Sequence, residues 1–374
     1  MAGAVTSAST SAQSTPPAML QQSFEKVRSG VVRFEVADCG STWQGSGFQL
    51  SPDLVVTVAH VVDQGQVVRV IEGTTSTAGT VIGLDQGTDV ALVRTAVPLH
   101  GQALTFADSA PRVGDQVAAL GFPRGEPLGF NPGTVNGLGR KADIDGYLRH
   151  DLLEMDAATN PGSSGGPVIR ADGAVVGLVD AGPQGGDQGE RLAVSSATAR
   201  PLVQGWSAAP QPAPPGDCTG AVYPDGTPVP PEVFPTREGM QVVTTLSVYF
   251  DAINGGDFPT ALAQLVHPGS LEAFSTDVAS SFDDHIRYQE LQTEGPTRVV
   301  WVTFTSHQDP GKGPAERPQE TCTEWSLDYV MAPANGLWLI DATRPHDGAA
   351  PAPCAGSASG TGATDGSGST SPPS

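Results

Sequence analysis

Short apolar runs separated by Gly, Asp and Pro turns set the pattern of the first two hundred residues: "VVRFEVA", "SGFQL", "LVVTVAHVV", "VVRVIE", "GTVIGL", "DVALVR", "QVAALGF", "GTVNGLG", "GGPVI", "AVVGLVDAG" and "RLAVS". Short strands at regular spacing with turn residues between them predict an all-β sandwich or a pair of barrels. "SSATARPLVQGW" predicts a short helix that closes the region at Trp206. The pattern then changes. In "EGMQVVTTLSVYFDAINGGDF", Val242, Val243, Leu246, Tyr249, Phe250 and Ile253 fall at helical spacing, and Asn254-Gly255 supplies the stop. Asp257 and Pro259 predict the cap and first turn of a second helix through Leu265. "RVVWVTFTSH", "CTEWSLDYVMA" and "GLWLIDAT" read as long strands, the last two joined across "PANG" as a hairpin. Helices followed by alternating strands indicate an α+β domain.

These patterns divide the 374 residues into five stretches. Residues 1–18 are Ser/Thr/Ala/Pro-rich and expected to be disordered; 19–206 form the β unit; 207–217, "SAAPQPAPPGD", are a Pro-rich linker; 218–346 form the α+β unit; and 347–374 are a Gly/Ser-rich tail, expected to be disordered apart from a tether at Cys354. Each unit is long enough to bury its own core.

The formal charge of −21 argues against a nucleic-acid partner, which needs a basic surface. Residues 1–206 carry 20 acidic and 13 basic side chains, and 207–374 carry 20 and 6, so the imbalance is strongest in the second half. Cys39, Cys218, Cys322 and Cys354 are too widely spaced for a metal knuckle. They read as two disulfides of undetermined connectivity in an oxidising compartment, with buried free thiols as the alternative. No metal and no cofactor are called for. No apolar run reaches the length of a membrane span, and the start "MAGAVTSASTSAQSTPPAM" shows no secretion signal.

"ATNPGSSGGPVI", residues 158–169, places two serines among glycines. It is either a bland polar turn or a nucleophile loop whose backbone N–H groups can converge on a substrate oxygen. A nucleophilic serine needs a base, and the base needs an orienting carboxylate. "VVTVAHVV" puts His60 at the end of an apolar strand, and "GTDVALVR" puts Asp89 at the mouth of another. With Ser164 they make the order His, Asp, Ser.

Residues 19–206 resemble a trypsin-fold serine protease of the high-temperature-requirement (HtrA/Deg) type. The resemblance lies in "GSGFQLSPDLVVTVAHVV", "TDVALVR", "VGDQVAALGFPRG", "EMDAATNPGSSGGPVI" and "DGAVVGLVDAG". It implies a double β-barrel with His60 as general base, Asp89 as its orienter, Ser164 as nucleophile, and the N–H groups of Gly162 and Ser164 as oxyanion hole. Gly165 and Gly166 are expected to leave the approach unobstructed. Ser163 replaces the Asn usual before the nucleophile, and no PDZ-like pattern follows. By analogy with trypsin-fold pockets, Ala158 and Thr159 line the specificity pocket, whose uncharged floor favours small or medium apolar side chains at the cleaved bond. An extracytoplasmic or secreted location follows from the resemblance, with a cytoplasmic one as the alternative.

Residues 218–346 resemble, more loosely, the nuclear-transport-factor-two-like (SnoaL-like) cone. "FDDHIR" offers Asp283, Asp284 and His285 as an acid–base group, but neighbours on one element point apart and a charged run is ordinarily solvated. Tyr249, Phe250, Trp301, Trp325 and Trp338 are expected in the core. The fold class is therefore multidomain, an all-β trypsin-like double barrel followed by an α+β cone-like domain. The leading function is a serine endopeptidase acting on protein or peptide. The rival is a non-catalytic trypsin-fold binding protein, with the second domain as a ligand- or partner-binding module. The Pro-rich linker is expected to keep the two cores separate, and because every candidate catalytic residue precedes it, the chemistry is expected not to require the second domain.

Overall fold

The computed structural model describes residues 16–37, 42–65, 67–125, 127–144, 146–180, 191–213 and 237–354. Cys39, Cys218, the acidic loop "PQGGDQGE" and the far ends of both terminal segments lie outside them.

Twelve strands build two closed antiparallel barrels. The first contains β1 (Val31–Ala37), β2 (Thr42–Ser51), β3 (Leu54–Thr57), β4 (Val67–Glu72), β5 (Thr75–Asp85) and β6 (Val90–Thr95). The second contains β7 (Gln116–Gly121), β8 (Gly129–Ile144), β9 (Tyr147–Met155), β10 (Pro167–Arg170), β11 (Val175–Val179) and β12 (Arg191–Ser195). Strand β1 pairs with both β2 and β4, which closes the first ring and removes its free edges. All seven residues of β1 are buried, because its outer face is covered as well as its inner one.

Helices tie the barrels together. Helix α1 (Pro16–Val27) starts inside the segment expected to be disordered; it lays Phe24 against Phe130 of β8, ring centroids 5.0 Å apart. A one-turn helix, α2 (Ala59–Val62), follows β3. The closing helix α3 (Ser196–Ala208) is capped by the Ser195 hydroxyl, which accepts from the Thr198 N–H. It runs back to the first barrel, where Trp206 sits on Gly83; a Cβ there would lie 2.1 Å from the indole. The helix ends two residues into the stretch read as linker. The chain then stays on the barrel: Gln211 N–H donates to Ile82 O at 2.7 Å and Ala213 N–H to Val81 O at 3.2 Å.

The second unit packs α4 (Arg237–Asn254), α5 (Phe258–Leu262) and α6 (Leu271–Val278) with an antiparallel sheet of β13 (Phe282–Glu294), β14 (Thr297–His307), β15 (Cys322–Ala334), β16 (Leu337–Pro345) and β17 (Ala352–Pro353). Val242, Leu246 and Phe250, one stripe of α4, meet Val300, Val302, Tyr329 and Met331 of the sheet. Tyr249, Trp325 and Trp338 pack at the edge of this core. Trp301 does not join it: the indole stacks on His346 with centroids 4.1 Å apart. The tail is ordered through Cys354, because β17 pairs with β15 and Cys354 is disulfide-bonded to Cys322.

The two cores do not stay separate. Arg69 of β4, wholly buried, donates to Gln264 and to Thr245 of α4. Arg33 of β1 pairs with Asp257. The Asn335-Gly336 hairpin turn, with φ +52° and +77°, reaches the edge of β5, where Ala78 N–H donates to Asn335 O at 3.0 Å. A cavity of about 610 Å³ lies between the units, lined by Glu35, Trp43 and Phe122 on one side and Val248, Asp251 and Pro259 on the other. A guanidinium that finds amide and hydroxyl acceptors only across the interface ties the units together, whatever the composition of the chain between them.

Candidate active site

His60 is carried by α2, immediately after β3 enters the first core. Val61 and Val62 fill that core, which fixes the turn and leaves the His60 side chain partly exposed. Asp89 precedes β6 in a left-handed conformation, φ +57°. The turn leading to it is held by Asp85, whose carboxylate accepts from Thr88 N–H and Oγ1, both at 2.8 Å. Asp89 is 1% exposed and grips His60 at two points. Its Oδ1 accepts from the His60 backbone N–H at 2.9 Å, and its Oδ2 lies 2.8 Å from Nδ1. That pair orients the ring and favours the proton on Nδ1, which leaves Nε2 unprotonated in the neutral ring. Burial pulls the imidazole pKa down, but the hydrogen bond and charge of Asp89 outweigh it, so His60 stands above the ordinary 6.5. Burial opposes ionisation of Asp89, and the hydrogen bonds and charges of His60 and Arg149 prevail, holding it below the ordinary carboxylate value.

The serine loop docks against β2. Ser46 N–H donates to Ser164 O at 2.8 Å, and Ser46 Oγ bridges Gly162 O at 2.7 Å and Phe122 N–H at 2.9 Å. Gly162 and Gly165 have φ +95° and +83°. Ser163 is 3% exposed with its Oγ unpaired, whereas Ser164 is half-buried. Among the described residues, the N–H groups of Gly162 and Ser164 donate to no acceptor. Ser164 Oγ and His60 Nε2 are not hydrogen-bonded to each other; such bonds commonly tighten only when substrate is bound. Gly165 and Gly166 do not clear an approach path. A Cβ on Gly165 would lie 2.2 Å from Ser46 O and Thr57 Oγ1, and one on Gly166 would lie 1.9 Å from Leu120 O. Their absent side chains let the loop sit on β2, β3 and β7.

Ala158 is exposed and Thr159 half-buried, in the segment between β9 and the serine loop. Asp283, Asp284 and His285 do not converge. Asp283 is buried, with its backbone paired to the Asn254 amide at 2.6 and 2.7 Å, while Asp284 faces out against His285 Nδ1 at 2.6 Å.

Two residues that sequence reasoning missed lie behind His60. Arg149 of β9, 2% exposed, donates from Nη1 to Asp89 Oδ2 at 2.9 Å, and also to Asp180, the residue after β11. Burial and the neighbouring Asp89 raise the Asp180 pKa to about 7. In "YLRHDLLEM" the inward Arg149 follows the outward Leu148, so alternation points to the wrong residue. Asp180 did carry a signal: a carboxylate directly ending the apolar run "VVGLV".

Comparison with known proteins gives the class that this half of the chain resembles. Residues 45–178, which contain His60, Asp89 and Ser164, match the family model described as a trypsin-like peptidase domain. A stretch of 166 residues of this chain is also similar to serine endoproteases. A probable periplasmic serine endoprotease DegP-like of Bartonella henselae is 38% identical over 166 residues, covering 43% of this chain and 32% of that protein. A probable periplasmic serine protease do/HhoA-like of Haemophilus influenzae is 34% identical over 166 residues, 43% of this chain and 36% of that protein. The chain thus spans about a third of the length of these curated relatives. Among solved structures, the Rv3671c protease from M. tuberculosis in its active form aligns at 26% identity and a TM-score of 0.47, covering 57% of this chain and 99% of that one.

Proposed function

We propose that the chain is a serine endopeptidase that cleaves peptide bonds through an acyl-enzyme. Ser164 Oγ attacks the scissile carbonyl while His60 Nε2 takes its proton and then delivers it to the leaving amine. Asp89 keeps Nδ1 protonated and stabilises the imidazolium. The N–H groups of Gly162 and Ser164 receive the developing oxyanion, each worth about 3 kcal/mol in such sites. The observation that carries this reading is the two-point grip of Asp89 on His60, 2.9 Å to the backbone N–H and 2.8 Å to Nδ1, because it directs the unprotonated Nε2 of a partly exposed ring toward solvent, where a base can act.

Ala158 and Thr159 bring no carboxylate to the specificity pocket, which favours small or medium apolar side chains at the cleaved bond. The periplasmic names of the relatives favour an extracytoplasmic protein. The α+β unit, read as a nuclear-transport-factor-two-like cone, serves as an accessory module, since the three catalytic side chains all come from the barrels. The test is digestion of an unfolded protein substrate together with a peptide-library profile. The wild type should cleave after Ala, Val or similar residues and Ser164→Ala should not. A profile dominated by cleavage after Arg or Lys contradicts the pocket assignment, and digestion by Ser164→Ala at the wild-type rate contradicts the nucleophile.

A further inference from the structure

The His60–Asp89 pair does not end at Asp89. Arg149 Nη1 donates at 2.9 Å to Oδ2, the same Asp89 oxygen that His60 Nδ1 engages. The same nitrogen also pairs with Asp180 Oδ1. Ligand atoms of His60, Asp89 and Asp180 all lie within 4.8 Å of one another, and the guanidinium, bonded to both carboxylates, fills the gap between them.

Charge counting shows what each part does. An arginine alone would draw on the Oδ2 lone pairs that hold His60 and would neutralise Asp89, leaving a weaker base. A second carboxylate on the same nitrogen restores the balance once it is ionised, above about pH 7, where two carboxylates and one guanidinium leave a single negative charge facing the imidazole. Among the described residues, the charged groups facing Asp180 include Asp89, Arg149 and His60, from the turn before β6, from β9 and from α2. A buried surplus charge is tolerated where a cation can form beside it, and the imidazolium of the transition state is such a cation.

We propose that Arg149 and Asp180 are positioning residues of the triad: Arg149 fixes the Asp89 carboxylate through Oδ2, and Asp180 anchors Arg149 and supplies the counter-charge that keeps Asp89 a full acceptor for His60. The proposal rests on the serine endopeptidase reading. Neither residue touches substrate; both act through Asp89.

The test is the pH dependence of kcat/KM for a short peptide ester, measured on the full chain with melting temperatures alongside. Three variants are needed, since Arg149→Met alone strands two buried carboxylates and endangers folding. Asp180→Asn should lower kcat/KM about tenfold and move its acid limb about one pH unit lower, because one of the negative charges favouring imidazolium is gone. Arg149→Lys keeps the charge but loses the forked geometry, and should lower kcat about tenfold at unchanged KM. The double variant Arg149→Met with Asp180→Asn removes one charge of each sign and should return the acid limb to its wild-type position. An active wild type whose acid limb stays in place in Asp180→Asn, with rate lowered equally at every pH or melting temperature alone affected, overturns the positioning role. A folded wild type that does not turn over the ester, or turnover that survives in Ser164→Ala, overturns the endopeptidase reading and this proposal together.

Discussion

Ser163 and Ser164 are adjacent serines with opposite environments. The hydroxyl of Ser163 is buried and unpaired, and that of Ser164 stands half-exposed beside N–H groups without acceptors. Ser163→Ala should therefore keep most activity and be close to neutral in stability, since it removes a buried hydroxyl that satisfies nothing. Ser164→Ala should lower the rate at least about a thousandfold, and His60→Ala should do the same, because the triad acts as a unit. The proposed mechanism requires neutral His60, whose pKa is raised above the ordinary 6.5 by the hydrogen bond and charge of Asp89. The acid limb of kcat/KM should accordingly fall above pH 6.5; a limb below it contradicts the charge assigned to Asp89. His60 and Asp89 stood out in the sequence because one follows and the other precedes an apolar run, and Ser164 because of the glycines around it. Arg149 was not, because a buried arginine on a strand whose neighbouring Leu148 faces solvent breaks the alternation that makes strands readable.

At the scale of the element, the serine loop owes its shape to what it rests on. Gly165 combines a left-handed φ with backbone and side-chain oxygens 2.2 Å from any Cβ, so Gly165→Ala is opposed on two counts. This variant should lose peptidase activity and lower the melting temperature together, measured by ester turnover and thermal unfolding; retained activity would mean that the loop tolerates displacement from β2 and β3. The glycines themselves were visible in the sequence, but their reason was not: contacts with Ser46 and Leu120, over a hundred and over forty residues distant, decide it. Most strands and α4 were legible from their apolar spacing, but β9 and β13 were not, because exposed positions interrupt their apolar pattern. Helix α6 was not, because none of its residues is buried and its pattern carries little core signal.

For the whole molecule, the junction between the units matters more than the composition of "SAAPQPAPPGD" suggested. Glu35 is buried at this junction with neither carboxylate oxygen hydrogen-bonded. Burial raises its pKa from 4.5 to about 7, and Arg33 and Arg69 only partly offset this. Below pH 4.5 the carboxyl is protonated in both folded and unfolded chains and contributes no pH dependence. Between 4.5 and about 7 the unfolded chain has released the proton while the folded chain still holds it, so stability falls as pH rises, by at most about 3 kcal/mol. Glu35→Gln should thus gain stability relative to wild type as pH is raised from 5 to 8, read as the difference in denaturation midpoints; a difference that shrinks over that range refutes the buried-carboxyl account. The two units were readable from the change in hydrophobic period, but their contact was not, since Arg69, Gln264 and Thr245 each read as surface residues in isolation. The central claim remains the working serine in the two-barrel unit, and one measurement addresses it directly: reaction of the full chain with a fluorophosphonate probe, followed by peptide mapping of the modified residue. Stoichiometric labelling at Ser164 that disappears in His60→Ala is the predicted result. Labelling at Ser163, or none in a folded wild-type protein, would contradict the account.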